Sequence, residues 1–325
     1  MKKFFLFSLV LAIFASCSQN EVVEQPLSDY ICFSNAFVDN STRADNTITK
    51  DNINSFTVWG HHDAVEVFRK VNFNKVGGAW QIEDPSKGRE WELGTYYFHA
   101  FAPAGVLGES SIPVYPETTT TTGIKEVPFN NTGDVDFCYA YATRQQGDPL
   151  NGDETINTAA VGLSFNHLLS RAKFTVKNTS SKIVKVSNIT ISSPQSGSID
   201  LTNSDQRSAW QWKNQANIIA FSLGETSDIA ASNIGTANNI LFLIPNPSTE
   251  ITIKFSIVVP GAPSVEKVIK MDHEFKLGYS YNFIATIADS DIDQSTKLIE
   301  FTVDGVVDWA GESLGGYTDV TVQNK

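Results

Sequence analysis

The feature that most constrains this chain is a period-two alternation of apolar and polar residues, repeated in short runs. Ile251, Ile253, Phe255 and Ile257 alternate with Thr252, Lys254 and Ser256, and Ile299, Phe301 and Val303 alternate with Glu300 and Thr302. Each run has one greasy face and one wet face, the signature of a half-buried strand. Similar runs occur at Ser55 to Trp59, Thr95 to Phe101, Val135 to Ala142, Lys173 to Lys177, Lys185 to Ile191, Ile240 to Ile244 and Tyr279 to Ile287. Turn residues separate them: Gly77-Gly78, Asp84-Pro85, Asn151-Gly152, Pro194, Pro245-Asn246-Pro247 and Pro260-Gly261. No long segment carries a 3.6-residue period. The expectation is an all-β chain, and 325 residues exceed the usual size of one core, so two β-sandwiches in series are expected. The seam is placed at Leu163 to Arg171, giving an N-terminal domain over 44–166 and a C-terminal domain over 167–325.

Residues 1–16 are set aside from this fold. Lys2 and Lys3, an apolar run from Phe4 to Phe14 and small residues before Cys17 make an export signal shorter than a membrane-spanning helix of about 20 residues. Phe14-Ala15-Ser16-Cys17 resembles the lipobox of bacterial lipoproteins, which implies cleavage before Cys17 and lipidation of its thiol. The acyl chains would hold the protein at the outer membrane, each buried CH2 contributing about 0.8 kcal/mol. Residues 18–26 read as a polar tether, in which Glu21 and Glu24 resemble a weak surface-export signal.

The chain carries a net charge of −12, and losing Lys2 and Lys3 makes it more negative still, which argues against nucleic acid as a partner. Besides Cys17 there are only Cys32 and Cys138, so neither a disulfide framework nor a cysteine metal site is expected, and both thiols are expected to be free. No cofactor is called for.

Several phrases in order carry a family resemblance: the lipobox, then ICFSNAF and STRADN, NINSFTVWG, LSFNHLLSRAKFTVKN, and a terminal IEFTVDGVVDW. Together they resemble the fimbrillin family of Bacteroidetes, subunits of type V pili. The resemblance implies two transthyretin-like β-sandwich domains, a surface-exposed lipoprotein in the fimbrium, and partners that are other fimbrillin subunits. It also implies an arginine-specific or trypsin-like protease that cuts in the loop after the first strand, here between Arg43 and Ala44.

The residues themselves fit that cut. Asp39 to Asn46 has no side chain larger than alanine among its apolar residues, and loops of this kind are where proteases nick. Arg43 is the first basic residue after Lys3. Tyr30 to Val38 is the strand that would leave, with Ile31, Phe33 and Phe37 expected on one face. Its loss would open a groove for an extended donor segment. The candidate donor is C-terminal: Ile299, Phe301, Val303, Val307 and Trp309, with Val320 and Val322 repeating the pattern. If those strands close their own domain instead, a tip or cap subunit results; stalk, tip and anchor roles stay open.

Enzyme readings fail on context. Gly311-Glu312-Ser313-Leu314-Gly315 matches G-x-S-x-G, but no histidine follows it. His61-His62-Asp63 and Met271-Asp272-His273-Glu274 lack the i, i+4 helical spacing of a zinc protease site. Asp289, Asp291 and Asp293 lack the glycine of a calcium loop. The alternative to a pilus subunit is a surface lipoprotein that binds glycans without polymerising, with Trp210 and Trp212 as two indoles on one strand face.

Overall fold

The computed structural model describes residues 29–38, 48, 52–108, 123–292 and 299–308. Among these residues nearly all the regular structure is strand. In order they are β1 (Phe33–Val38), β2 (Ser55–His62), β3 (Val65–Val76), β4 (Ala79–Ile82), β5 (Gly94–Ala102), β6 (Ile124–Asn130), β7 (Cys138–Gln146), β8 (Val161–His167) and β9 (Ser170–Asn178). Then follow β10 (Lys185–Leu201), β11 (Gln211–Gly224), β12 (Ile234–Thr236), β13 (Leu241–Leu243), β14 (Asn246–Val258), β15 (Val265–Phe275), β16 (Tyr279–Ile287) and β17 (Glu300–Asp308). One helical turn, Asp289–Ile292, precedes β17.

The first half forms one ladder in the order β1-β8-β7-β5-β2-β3-β4. Strand β8 is its pivot. The first part of β8 pairs in parallel with β1, and only Asn166 and His167 pair with β7. The ladder therefore folds over, and β1 lies close to β4 at the other end. The core enclosed this way is aromatic: Phe33, Phe56, Phe68, Phe73, Trp91, Tyr96, Phe98 and Phe165 are all buried. The β3–β4 hairpin turns on Gly77 and Gly78, at φ 59° and 87°, a left-handed pair that glycine adopts without a Cβ clash.

In the second half two five-stranded sheets face each other. One runs β11-β10-β14-β15, with β6 added to β10; the other runs β12-β9-β16-β17, with β13 added to β9. The alternating residues Ile251, Ile253, Phe255 and Ile257 of β14 meet Phe174, Phe283 and Phe301 of the opposite sheet in one apolar layer. Strands β9 and β16 pair in parallel over their whole length, Ser280 opposite Arg171 to Ile287 opposite Asn178.

The two halves are joined by more than the connection from β8 to β9. Strand β6 comes from the first half in sequence but pairs with the C-terminal part of β10, Asn130 opposite Ser196 and Ile124 opposite Leu201. Just before it, Gly123 lies so close to the Thr202 main chain that a Cβ has no room there. A third apolar core fills the joint, with Trp59, Phe101, Phe137 and Tyr139 from one side and Leu201, Trp210, Phe242 and Ile244 from the other.

Candidate functional site

The first described segment is held on two sides. On one, Tyr30 bridges Glu90: the Ile31 amide donates to the Arg89 carbonyl at 2.7 Å and the Trp91 amide to the Asp29 carbonyl at 3.0 Å. On the other, the Val161 amide donates to the Cys32 carbonyl at 2.8 Å, and β1 continues in parallel register along β8, Phe33 opposite Val161 and Ser34 opposite Gly162. Ile31 and Phe33 point into the aromatic core while Cys32 stays half-exposed, as alternation requires. The Phe33 ring sits 4.9 Å from Phe73, 5.3 Å from Phe98 and 5.8 Å from Phe56, each edge to face. The register slips between Ser34 and Phe37, so the strict alternation expected through Phe37 is interrupted by a bulge. Cys17, Arg43 and Ala44 lie outside the described residues.

The last described strand, β17, is an edge strand paired antiparallel with β16, Phe301 opposite Ala285 and Val303 opposite Phe283. Ile299, Phe301 and Val303 are buried in the C-terminal core of their own chain. Val307 lies opposite Ser280 in the ladder. Trp309, Val320 and Val322 lie outside the described residues.

A family profile described as fimbrillin-like matches residues 42–305. The chain belongs to the fimbrillin-like family. Membership sets it among fimbrial structural proteins and not in an enzyme family. This fimbrillin-like protein is similar in structure to a Bacteroides ovatus protein provisionally described as a cell adhesion protein. The two share 15% identity and a TM-score of 0.51, over 87% of this chain and 98% of that one, which is a likeness of fold. It also aligns with the fimbrial anchor protein Mfa2 of Porphyromonas gingivalis, at 12% identity and a TM-score of 0.41 over 83% of this chain and 96% of that one. No curated protein matches it.

The two tryptophans of the glycan reading are committed to the joint of this fimbrillin-like chain. Trp210 is buried, packs edge-on to Tyr139 at 5.2 Å, and donates its indole N–H to the Asn203 carbonyl at 3.0 Å. Trp212 is half-buried against Phe129, and its N–H donates to the Leu168 carbonyl at 2.8 Å. A pair of parallel indole faces open to a sugar is therefore not what these residues form. Of the histidines, His62 stacks on Tyr96 at 4.4 Å, with its Nε2 2.8 Å from the Leu93 carbonyl. Asp289 accepts from Ser181 and Asp291 from the Ala288 amide, so both carboxylates tie down turns that follow β9 and β16.

Sequence reasoning did not anticipate a buried polar cluster beside the joint. His167 Nδ1 lies 2.9 Å from Asp136 Oδ2 and 3.4 Å from Cys138 Sγ, all three side chains being buried. Asp136 also accepts from the Ile48 amide at 2.8 Å, and its charge acts on Arg171, which donates from Nε to Ser280 Oγ at 2.9 Å. Burial, then the Asp136 charge and hydrogen bond, push the Cys138 thiol well above its ordinary range and keep it protonated. An Asp and a His at hydrogen-bond distance, with a guanidinium completing the charge balance, read as a lock between β7, β8 and β9. The ligand atoms of Asp136, Cys138 and His167 all lie within 4.8 Å of one another, a spacing that could also hold a metal ion. The only sequence signal was the spacing Asp136-Phe137-Cys138, which by itself names no partner. Both Cys32 and Cys138 are free, as expected.

Two buried imidazoles make acid stability a measurable property. Burial, with a smaller contribution from His61, lowers His99 to about 3, and burial against Phe275, Tyr281 and Phe283 lowers His273 to about 4. Below pH 6.5 the unfolded chain takes up protons that the folded chain refuses, so stability falls as pH falls, by up to about 2 kcal/mol per histidine at pH 5. Urea midpoints should drop between pH 7 and pH 5, and the drop should shrink in His273→Phe; equal pH dependence in the variant would refute the assignment.

Proposed function

We propose that this protein is a type V pilus subunit, exported as a lipoprotein on Cys17, cut between Arg43 and Ala44 by an arginine-specific or trypsin-like protease, and polymerised by donor-strand exchange for cell adhesion. The observation that carries the reading is the seating of Ile31 and Phe33. They fill the aromatic core from a strand that lies at one end of its ladder and pairs in parallel with β8. Parallel neighbours are not joined by a tight hairpin. Such a strand can depart after one cut, breaking its ladder with β8 and the bridge at Tyr30 while β2 to β5 keep their partners. What remains is an exposed strand edge over an apolar slot, the geometry that strand addition fills. The family match itself starts at residue 42, beside the cut.

The packing of β17 supports a second reading within the same function. Donating Ile299, Phe301 and Val303 to a neighbour would take those residues out of their own core. A shaft subunit would then donate from the segment holding Trp309, Val320 and Val322, whereas a tip or cap subunit would donate nothing.

The N-terminus and intact mass of protein sheared from the native surface test both. A start at Ala44 in high-molecular-weight material is the expected result. Lipidated Cys17 as the N-terminus in every fraction would exclude strand exchange for this chain and leave a surface lipoprotein or anchor.

A further inference from the structure

A cleft of about 230 Å³ is lined by Glu66, Val67, Arg69 and Val71 of β3 and by Lys87 and Arg89 of the turn after β4. Three cationic side chains and one carboxylate meet there, in a chain whose net charge is −12. Both walls are built. In β3 the register runs Phe68 opposite Gly60 and Val71 opposite Val58, so Arg69 and Lys70 together face one residue, and Lys70 adopts φ 52°. That is a bulge, a device that re-aims side chains and recurs beside functional sites. On the other wall Asp84 accepts from the Ser86 amide at 3.1 Å and fixes the turn Pro85–Lys87. Arg89 is held by its carbonyl on the Ile31 amide, and its guanidinium donates to the Gly88 carbonyl at 2.8 Å.

The chemistry selects the ligand. Two guanidinium forks and an ammonium suit a carboxylate, which arginine binds with two parallel N–H bonds. Glu66 only accepts, so it repels a second negative charge and favours a hydroxyl. Val71 is committed to the core, and half-buried Val67 beside it leaves a small apolar edge for the C–H face of a ring. The volume lies below the roughly 300–1,000 Å³ of drug-sized sites and suits one ring. The negative charge of the chain as a whole disfavours a polyanion. We propose that this cleft binds a terminal acidic monosaccharide of a glycan, its carboxylate on Arg69, Lys87 and Arg89 and a ring hydroxyl on Glu66. The Arg89 wall leans on the first strand, so the cleft is described for the uncut chain.

Titration calorimetry of the purified full chain tests this with glucuronic acid and sialyllactose as probes, against glucose, lactose and inorganic phosphate. The acidic sugars should bind, with glucose and lactose at least about tenfold weaker. Arg69→Ala and Arg89→Ala should each weaken the acidic sugars about tenfold. Glu66→Gln should weaken them while leaving phosphate unchanged or tighter. Lys87→Ala, on a turn outside the sheet, repeats the test where an arginine variant melts early. Neutral sugars binding equally, phosphate matching glucuronate, or variants indistinguishable from the parent would each overturn the proposal. Arg43→Ala should bind as the parent does, which keeps this result separate from that of polymerisation.

Discussion

Phe33→Ala is expected to cost the N-terminal half about 3–5 kcal/mol, the range for deleting a buried phenylalanine from a core that cannot collapse around the gap. The ring leaves only 4% of its surface exposed and meets three other rings edge to face within 6 Å. Those rings belong to β2, β3 and β5, strands held by continuous ladders that cannot move inward to fill the void. Such edge-to-face pairs add about 0.5–1.5 kcal/mol each beyond burial. Against a typical total of about 5–15 kcal/mol the loss is large, and the thermal midpoint should fall by roughly 10 °C. Cys32→Ala on the same strand removes only a half-exposed thiol and should change the midpoint little. The contrast isolates the plug from the ladder, since both variants keep every main-chain hydrogen bond of β1. A chain cut between Arg43 and Ala44 and stripped of its first strand should regain its midpoint on adding a peptide of residues 29–38, and regain far less with alanine at Phe33. Equal rescue by both peptides would mean that the pairing with β8, and not the aromatic slot, holds the strand.

Much of this fold was legible, and the illegible parts have specific causes. The alternation at Tyr279 to Ile287 coincides with β16, and that at Ile251 to Ile257 lies within β14; every second residue of each is in the core, while the other face is wet in β14 and at most half-exposed in β16, a central strand. Strand β11 escaped because it lies at the edge of its sheet and its residues from Gln211 to Ala220 bury neither face, so no period appears. Strand β6 escaped because Pro128 reads as a break; it survives there because β6 pairs with β10 alone and needs no donor on its outer edge. In β3 the bulge at Lys70 reverses the alternation half-way along. The boundary expected between residues 166 and 167 lies inside β8, at the two residues that pair with β7, and the joint core could not be read from sequence. It depends on β6 crossing to the second half and on two tryptophans, Trp210 and Trp212, whose packing partners are far away in sequence. The candidate site divides the same way. The plug at Ile31 and Phe33 follows from local alternation, whereas its parallel partner lies well over 100 residues away, and pairing over that distance leaves no local trace.

Arg43→Ala is expected to abolish polymer while leaving the folded precursor at the cell surface at full length. Two strands compete for one slot. With the chain intact, β1 is covalently tethered, and an incoming donor strand of equal quality faces a local concentration in the millimolar range that it cannot match. After cleavage the described part of the first strand is held by its ladder with β8, the bridge at Tyr30 and the buried side chains of Ile31 and Phe33, and once it diffuses away it does not return at an equivalent rate. The cut therefore converts a closed core into an acceptor, and no basic residue lies between Lys3 and Arg43 to offer a trypsin-like enzyme an alternative upstream. The substitution itself touches no described contact, so the thermal midpoint of the variant should equal that of the uncut parent. Moving the arginine to the next position, with Arg43→Ala and Ala44→Arg together, should restore cleavage one residue later and restore polymer with it. Gel analysis of sheared surface material reads all three chains. Polymer from Arg43→Ala at the parental level would remove the cut from the mechanism, and a variant that neither polymerises nor recovers with the shifted arginine would place the requirement in the sequence of the loop instead of in its cleavage.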